Sequence, residues 1–121
     1  MALLLAEDCR SNATRGGTRI GTMTETYTSG TWTVKAGEDE AFVREWTEFV
    51  TWASGMPGSG TFRLVRNVDR PDTYMSFAPW ESFEAQQAWK ELPEFRERIG
   101  RVRSHCDDFQ PSTLELVTVV A

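Results

Sequence analysis

Apolar and polar side chains alternate between Tyr74 and Trp80, which is typical of a β-strand. One face of this strand carries Tyr74, Ser76, Ala78 and Trp80, and the other carries Met75, Phe77 and Pro79. Proline has no amide hydrogen to donate to a neighbouring strand, so the strand is expected to end near Pro79.

A helix is predicted directly after this strand. Ser82 is a favourable N-cap, and Glu84 lies in the first turn, where the helix dipole favours a negative charge. Trp80 therefore stands at a strand-to-helix junction, at the edge of a space between sheet and helices. Ala78 lies on the same strand face and leaves room there.

The remaining periodicity predicts the element order βαββααβ. The other predicted strands are Thr28–Lys35, Thr61–Asn67 and Ser112–Val120, and the other predicted helices run from about Glu38 to Ser54 and from Pro93 until Asp107–Pro111 breaks the helix. Turn residues from Asp69 to Asp72 join the second and third strands as a hairpin. This pattern favours an α+β, ferredoxin-like domain with an antiparallel sheet and helices on one of its faces.

Two predicted helices each carry one apolar stripe at helical spacing. The stripes are Phe42, Trp46, Phe49, Val50 and Ala53 in the first helix, and Phe95, Ile99 and Val102 in the last. The third and fourth predicted strands, in contrast, are apolar on both faces, and the helices can cover only one face of the sheet. Because a large exposed apolar patch is rare in a monomer, we expect a second copy of the chain to cover the other face.

Composition limits the classes of partner and of compartment. The net charge of −5 offers no basic surplus for nucleic acid, and no apolar run is long enough to span a membrane. Two cysteines in 121 residues fit a reducing cytoplasm. Residues 1–26 lack an apolar period and are expected to form a flexible leader before a domain at residues 27–121. Met23 resembles a native start, so a disordered extension or a mis-assigned start codon is favoured over a functional arm.

The chain offers few residues for catalysis by metals or nucleophiles. His105 is the single histidine, and its neighbours Cys106 and Asp107 point in other directions on a helix end, so no metal site is expected. Arg96 and Arg103 flank the last helix's apolar stripe and can bring a guanidinium to a pocket mouth. A solvated helix edge is the simpler interpretation of Arg96, and an anion or enolate site is the functional one. Trp80 likewise has a simpler interpretation, as a core residue.

The Trp80-Glu81-Ser82 strand end, the amphipathic helix after it and the Glu94–Glu97 segment after Pro93 resemble the antibiotic biosynthesis monooxygenase family. The resemblance extends from about Tyr27 to Val120. It implies ferredoxin-like units that pair into a dimeric α/β barrel, a scaffold that hosts many activities.

The resemblance also implies site residues. The cofactor-free members that oxidise polyketide anthrones have a Trp and an Arg where this chain has Trp80 and Arg96, but an Asn where it has Ser76 and a Tyr where it has Gln86. The haem-degrading members have an Asn and a His where this chain has Gly30 and Ile99. Without the imidazole, iron lacks its axial ligand, so the haem-degrading branch is disfavoured.

Two functions follow from these observations. The first is a cofactor-independent monooxygenase that oxidises an aromatic, polyketide-like molecule held by Trp80, with Arg96 stabilising its oxyanion. The second is a non-enzymatic dimeric barrel that binds an apolar or aromatic ligand. In either case Ser76, Ala78, Trp80 and Arg96 are expected to converge on one cavity, and Gln86 is a further candidate contact.

Overall fold

A computed structural model describes residues 25–121, so most of the predicted leader, including Met23, lies outside the described residues. The elements are β1 (Thr26–Val34), α1 (Asp39–Ala53), β2 (Arg63–Arg66), β3 (Thr73–Trp80), α2 (Phe83–Lys90), α3 (Pro93–Arg103) and β4 (Cys106–Glu115). Their order confirms the predicted βαββααβ arrangement.

The four strands form one antiparallel sheet in the order β2-β3-β1-β4. In the central ladder, Gly30 pairs with Ser76 and Thr28 pairs with Ala78. The ferredoxin-like α+β fold predicted from the sequence is therefore confirmed.

Helices cover the face of the sheet that carries the even-numbered residues of β1 and β3. The core on that side consists of Trp32, Val34, Phe42, Trp46, Phe49, Ala53, Tyr74, Ala78, Trp80, Trp89 and Val102. The predicted faces of β3 are confirmed, because Tyr74, Ala78 and Trp80 are buried while Met75 on the opposite face is exposed.

Local signals in the sequence position the helices as expected. The Ser82 hydroxyl accepts a hydrogen bond from the Ala85 amide and caps α2. Between β1 and α1, Gly37 adopts a φ of 81°, a left-handed conformation that favours glycine. The buried Tyr74 donates its phenol hydrogen to Asp39 at the start of α1, over 2.6 Å, which ties β3 to that helix.

The last strand was predicted in the wrong place. β4 spans Cys106–Glu115 rather than Ser112–Val120, so it begins almost directly after α3 and passes through Pro111. Among the described residues β4 is an edge strand, where the missing proline amide leaves no ladder partner unsatisfied. The apolar residues assigned to this strand's two faces, such as Val117 and Val119, lie after its end and are exposed.

Contacts divide the chain into two compact units. The larger unit, Thr26–Leu114, holds the helices and nearly all of the sheet. The described residues of the smaller unit are Glu25 and 115–121, and within it the Leu116 amide donates to the Glu25 carbonyl over 2.8 Å.

Within the part of the chain that the structure describes, no helix covers the second face of the sheet. Val65 and Met75 are neighbours across the β2–β3 ladder and are 47% and 44% exposed, and Thr31 pairs with Met75 on the other side. Within residues 25–121, no helix is long and apolar enough to cross a lipid bilayer.

A candidate aromatic cavity

A cavity lies between the covered face of the sheet and the three helices. Its volume is about 60 Å³, measured as the space open to the centre of a water molecule. Its aromatic lining residues on the covered face are Trp32, Trp46, Phe49, Phe62, Trp89, Phe95 and Phe109. The wall is therefore suited to a flat, apolar ring.

Two tryptophans are fixed by hydroxyl groups across the β1–β3 ladder. The Trp32 indole N–H donates to the Ser76 hydroxyl over 2.9 Å, and the Trp80 indole N–H donates to the Thr28 hydroxyl over 3.0 Å. Ser76 and Thr28 both line the cavity. Each hydroxyl has accepted a hydrogen bond and keeps its own O–H, for which the described residues supply no acceptor, so both can donate to a ligand oxygen.

Gly30 lies between these two pairs and leaves room for the Phe109 ring. A Cβ atom on Gly30 would lie 2.7 Å from Cε1 of Phe109 and 3.1 Å from Nε1 of Trp32. The Phe109 ring stacks on Trp32 with their centroids 4.0 Å apart, so it occupies the space that a side chain at position 30 would need.

Trp80 supports the wall of the cavity from behind. Its side chain is 2% exposed and is not part of the lining. It stacks on Trp89, with ring centroids 4.9 Å apart, and meets Phe62 edge to face. Both of these neighbours line the cavity, so Trp80 positions the aromatic wall without forming its surface.

The expected convergence of four residues is only partial. Ser76 lines the cavity, but Ala78 is fully buried beside it and Arg96 is exposed and outside the lining. The reason is the rotation of α3, which turns Phe95 and Ile99 toward the cavity and leaves Arg96 on the edge of the helix.

Gln86, which stands where the resemblance implied a tyrosine, is also outside the lining. Its side chain is fully buried, and its amide nitrogen donates to the Thr26 hydroxyl over 2.7 Å. Within the described residues its amide oxygen has no hydrogen-bond partner. Gln86 thus joins α2 to β1 instead of reaching into the cavity.

Lys90, which the sequence analysis did not single out, does line the cavity. Its ammonium donates to the Thr113 hydroxyl over 3.3 Å, and burial lowers the pKa of the amine. Lys90 is half-buried and Pro111 in the lining is exposed, so the cavity meets solvent between the end of α2 and β4. The sequence signal was weak, since a lysine in the last turn of a helix usually serves the helix dipole.

The residues considered for metal or thiol chemistry have other roles. His105 pairs through Nδ1 with Glu38 over 2.8 Å, and no group of residues suited to a metal ion occurs within residues 25–121. Burial raises the pKa of the Cys106 thiol to about 11, so the thiol stays protonated and is a poor nucleophile.

Comparison with known families gives one match at the level of sequence. Residues 27–100 match the model of the family described as antibiotic biosynthesis monooxygenase. No curated protein sequence matches the chain significantly.

Several solved structures share the fold. SnoaB, a cofactor-independent oxygenase from Streptomyces nogalater, is 17% identical, with a TM-score of 0.72 over 81% of this chain and 98% of that one. A candidate antibiotic biosynthesis monooxygenase from Nitrosomonas europaea is 16% identical, with a TM-score of 0.68 over 77% of this chain and 90% of that one. A conserved protein from Methanosarcina mazei Go1 is 11% identical, with a TM-score of 0.68 over 75% and 91%. At these identities the structures show a common fold.

Proposed function

Because the chain belongs to the antibiotic biosynthesis monooxygenase family, we propose that it is a cofactor-independent monooxygenase acting on an electron-rich aromatic molecule. The substrate ionises and transfers electrons directly to oxygen. One oxygen atom enters the substrate, where a CH₂ group, which in a phenol is the CH₂ of its keto tautomer, becomes a carbonyl; the other oxygen atom leaves as water together with the two hydrogens. The protein's task is to bind the ring, favour its ionised form and exclude bulk water.

The observation that carries this proposal is the aromatic cavity. Its walls are rings, and the polar side chains in its lining include those of Ser76, Thr28 and Lys90. Donors placed in an apolar wall stabilise a developing oxyanion more strongly than donors in water do. The fold shared with SnoaB, described as a cofactor-independent oxygenase, is consistent with this activity.

The size of the cavity restricts the substrate. A space of about 60 Å³ holds roughly four water molecules, whereas an engineered cavity of about 150 Å³ is known to bind benzene. A ring therefore enters only if side chains at the opening move outward. Lys90 is half-buried and can do so at lower cost than the buried Trp32. A compact phenol fits this requirement better than a fused polycyclic anthrone.

Trp80 and Arg96 take different roles in this proposal. Trp80 acts indirectly, because it holds Trp89 in the wall. Arg96 contributes only if its guanidinium swings to the opening when substrate binds, since it is exposed in the unliganded protein.

Oxygen consumption with a panel of oxidisable phenols and one anthrone tests the proposal. We expect wild-type protein to consume oxygen in proportion to product formed. If Arg96 stabilises the oxyanion, Arg96→Ala lowers turnover by about 10²–10³. Arg101→Ala is the matched control, because Arg101 lies on the same helix and pairs with Glu97 on the exposed side. Unchanged turnover in Arg96→Ala removes Arg96 from the mechanism.

The second candidate function is binding without catalysis. It is favoured because two residues that the resemblance implied are missing. Gln86 stands in place of a tyrosine and does not line the cavity, and Ser76 stands in place of an asparagine. Wild-type protein that binds aromatic ligands but consumes no oxygen with any of the substrates supports this function over the oxygenase.

A haem-dependent activity is not proposed, because the lining residues do not fit the group. Ile99 offers a hydrocarbon where an axial imidazole is needed, and His105 is engaged with Glu38. Gly30 has no room for an amide side chain, since even a Cβ atom would contact Phe109.

A homodimer formed through the open face of the sheet completes the proposal. Val65, Met75 and the half-buried Phe77 and Pro79 present an apolar surface on that face. A second copy with the same surface covers it without exposing new apolar area.

A further inference from the structure

Among residues 25–121, one cationic side chain lines the cavity, and it is not the arginine that the family resemblance implied. The chain contains two lysines, and only Lys90 lines the cavity. Within the described residues, Lys90 forms no ion pair with a carboxylate. Its one hydrogen-bond partner is the Thr113 hydroxyl, so two of its three ammonium hydrogens remain for a ligand.

The surroundings of Lys90 make a ligand anion a favourable partner. It follows Trp89 in α2, and it shares the cavity lining with Phe95 and Ile99 of α3 and with Phe109 and Pro111 of β4. These side chains are apolar, and burial removes part of the water around the Lys90 ammonium. No carboxylate of the described residues pairs with the ammonium to offset that loss. An ionised oxygen on a ring lying in the cavity would compensate it.

We propose that Lys90 is the substrate-binding cation of this site and selects the ionised form of a phenol whose ring lies against the aromatic wall. This assignment rests on the proposed function for the nature of the substrate. It places the charge at the opening formed by α2 and β4, and it gives Arg96 on α3 no part in binding. The lowered pKa of Lys90, caused by burial, is consistent with an ammonium that gains from a bound anion.

Binding of two matched ligands tests the assignment without turnover. 4-Nitrophenol ionises readily, and its nitro group makes the ring resistant to oxidation. 4-Nitroanisole has the same ring but cannot ionise. Affinities for both are measured by titration calorimetry at a pH where free 4-nitrophenol is largely ionised, with wild-type protein and with Lys90→Met, Lys90→Arg and Lys35→Met. Lys35 is the matched control, because it bonds to the Ser104 carbonyl away from the cavity.

We expect wild-type protein to bind 4-nitrophenol more tightly than 4-nitroanisole. Lys90→Met should weaken 4-nitrophenol binding by roughly 10- to 100-fold, the range for a hydrogen bond to a charged group. It should leave 4-nitroanisole binding within a factor of three, because methionine preserves the stem. Lys90→Arg should restore most of the affinity, and Lys35→Met should behave as wild type.

Three results overturn the assignment: no preference for 4-nitrophenol in wild type, unchanged 4-nitrophenol binding in Lys90→Met, or equal loss of both ligands in Lys90→Met. Thermal melting of each variant shows that a loss of binding does not arise from unfolding. Failure of the proposed oxygenase function is recognised separately. In that case wild-type protein shows Lys90-dependent binding of 4-nitrophenol but consumes no oxygen with oxidisable phenols.

Discussion

Replacing Gly30 with alanine should destabilise the protein, although alanine suits strands and helices better than glycine does. The added Cβ atom would approach Cε1 of Phe109 to 2.7 Å, well inside the normal contact distance, and the Ser76 hydroxyl to 3.3 Å. Phe109 cannot move away freely, because its ring is stacked on Trp32 at 4.0 Å. Overpacking of this kind costs about 1–3 kcal/mol.

A smaller effect opposes this cost. Alanine restricts the unfolded chain and contributes about 0.4–1 kcal/mol of stability where the folded backbone accepts it. Gly30 lies within β1 and its φ is outside the left-handed region, so the backbone accepts alanine and only the contacts count. From the middle of each range, about 2 kcal/mol of overpacking less about 0.7 kcal/mol of gain, the net loss is expected to be about 1.3 kcal/mol. A domain of this size then melts at a temperature lower by about 4–8 °C for each kcal/mol.

Urea unfolding followed by far-ultraviolet circular dichroism measures the difference. Gly100→Ala is the matched control, because Gly100 lies in α3 with no atom within 4 Å of an added Cβ atom. The same substitution there should stabilise the protein by up to about 1 kcal/mol through helix propensity. In a Phe109→Leu background, Gly30→Ala should cost at least about 0.5 kcal/mol less than in wild type, since the clashing ring is gone. The reasoning fails if Gly30→Ala is as stable as wild type, or if its cost is the same in both backgrounds.

Three other predictions concern the wall, the thiol and the open face. Trp80→Ala should lose roughly 3–5 kcal/mol of unfolding free energy because the ring is buried against Trp89, whereas Trp80→Phe should lose less. A Trp80→Ala protein within about 1 kcal/mol of wild type, the loss of an average substitution, would contradict the buried assignment. In a Cys9→Ser background, Cys106 should react with a disulfide reagent at pH 8 roughly a hundredfold more slowly than a free thiol does. The reaction should become faster only near the thiol's pKa of about 11 or when the protein unfolds. Fast labelling of the folded protein would show that the thiol is not held in its protonated form. Sedimentation at micromolar concentration should show a dimer that Met75→Asp dissociates, and a wild-type monomer would rule out pairing through the open face.

The sequence predicted the fold well where the signal is local. The alternation from Tyr74 to Trp80 and the cap at Ser82 reflect sterics and hydrogen bonds within a few residues, and both are present in the structure. The position of β4 was missed because Pro111 reads as a strand breaker in isolation. Only the order of the strands shows that β4 lies at an edge, where proline is tolerated.

The candidate site was harder to predict, because it depends on which of several adjacent side chains faces inward. Arg96 and Lys90 each follow an aromatic residue in a helix, the partly buried Phe95 and the buried Trp89, and helical periodicity alone does not show which of the two cations faces the cavity. The structure separates them through the packing of α3 against α1 and α2, which turns Ile99 to the cavity and leaves Arg96 outside. Gly30 was noted only as a missing asparagine, since its contact with Phe109 joins distant parts of the chain.

The stacked indoles give this cavity an optical consequence. Trp80 and Trp89 lie with ring centroids 4.9 Å apart, and Trp52 is 6.5 Å from Trp89, so their excited states are electronically coupled. At these distances the rings share their excitation, and Trp89, one of the three, lines the cavity. A ring entering beside Trp89 would therefore quench the emission of several tryptophans at once and alter the exciton bands of the circular dichroism spectrum. Ligand binding in the cavity can therefore be followed without a label, through the tryptophan fluorescence intensity and the circular dichroism spectrum.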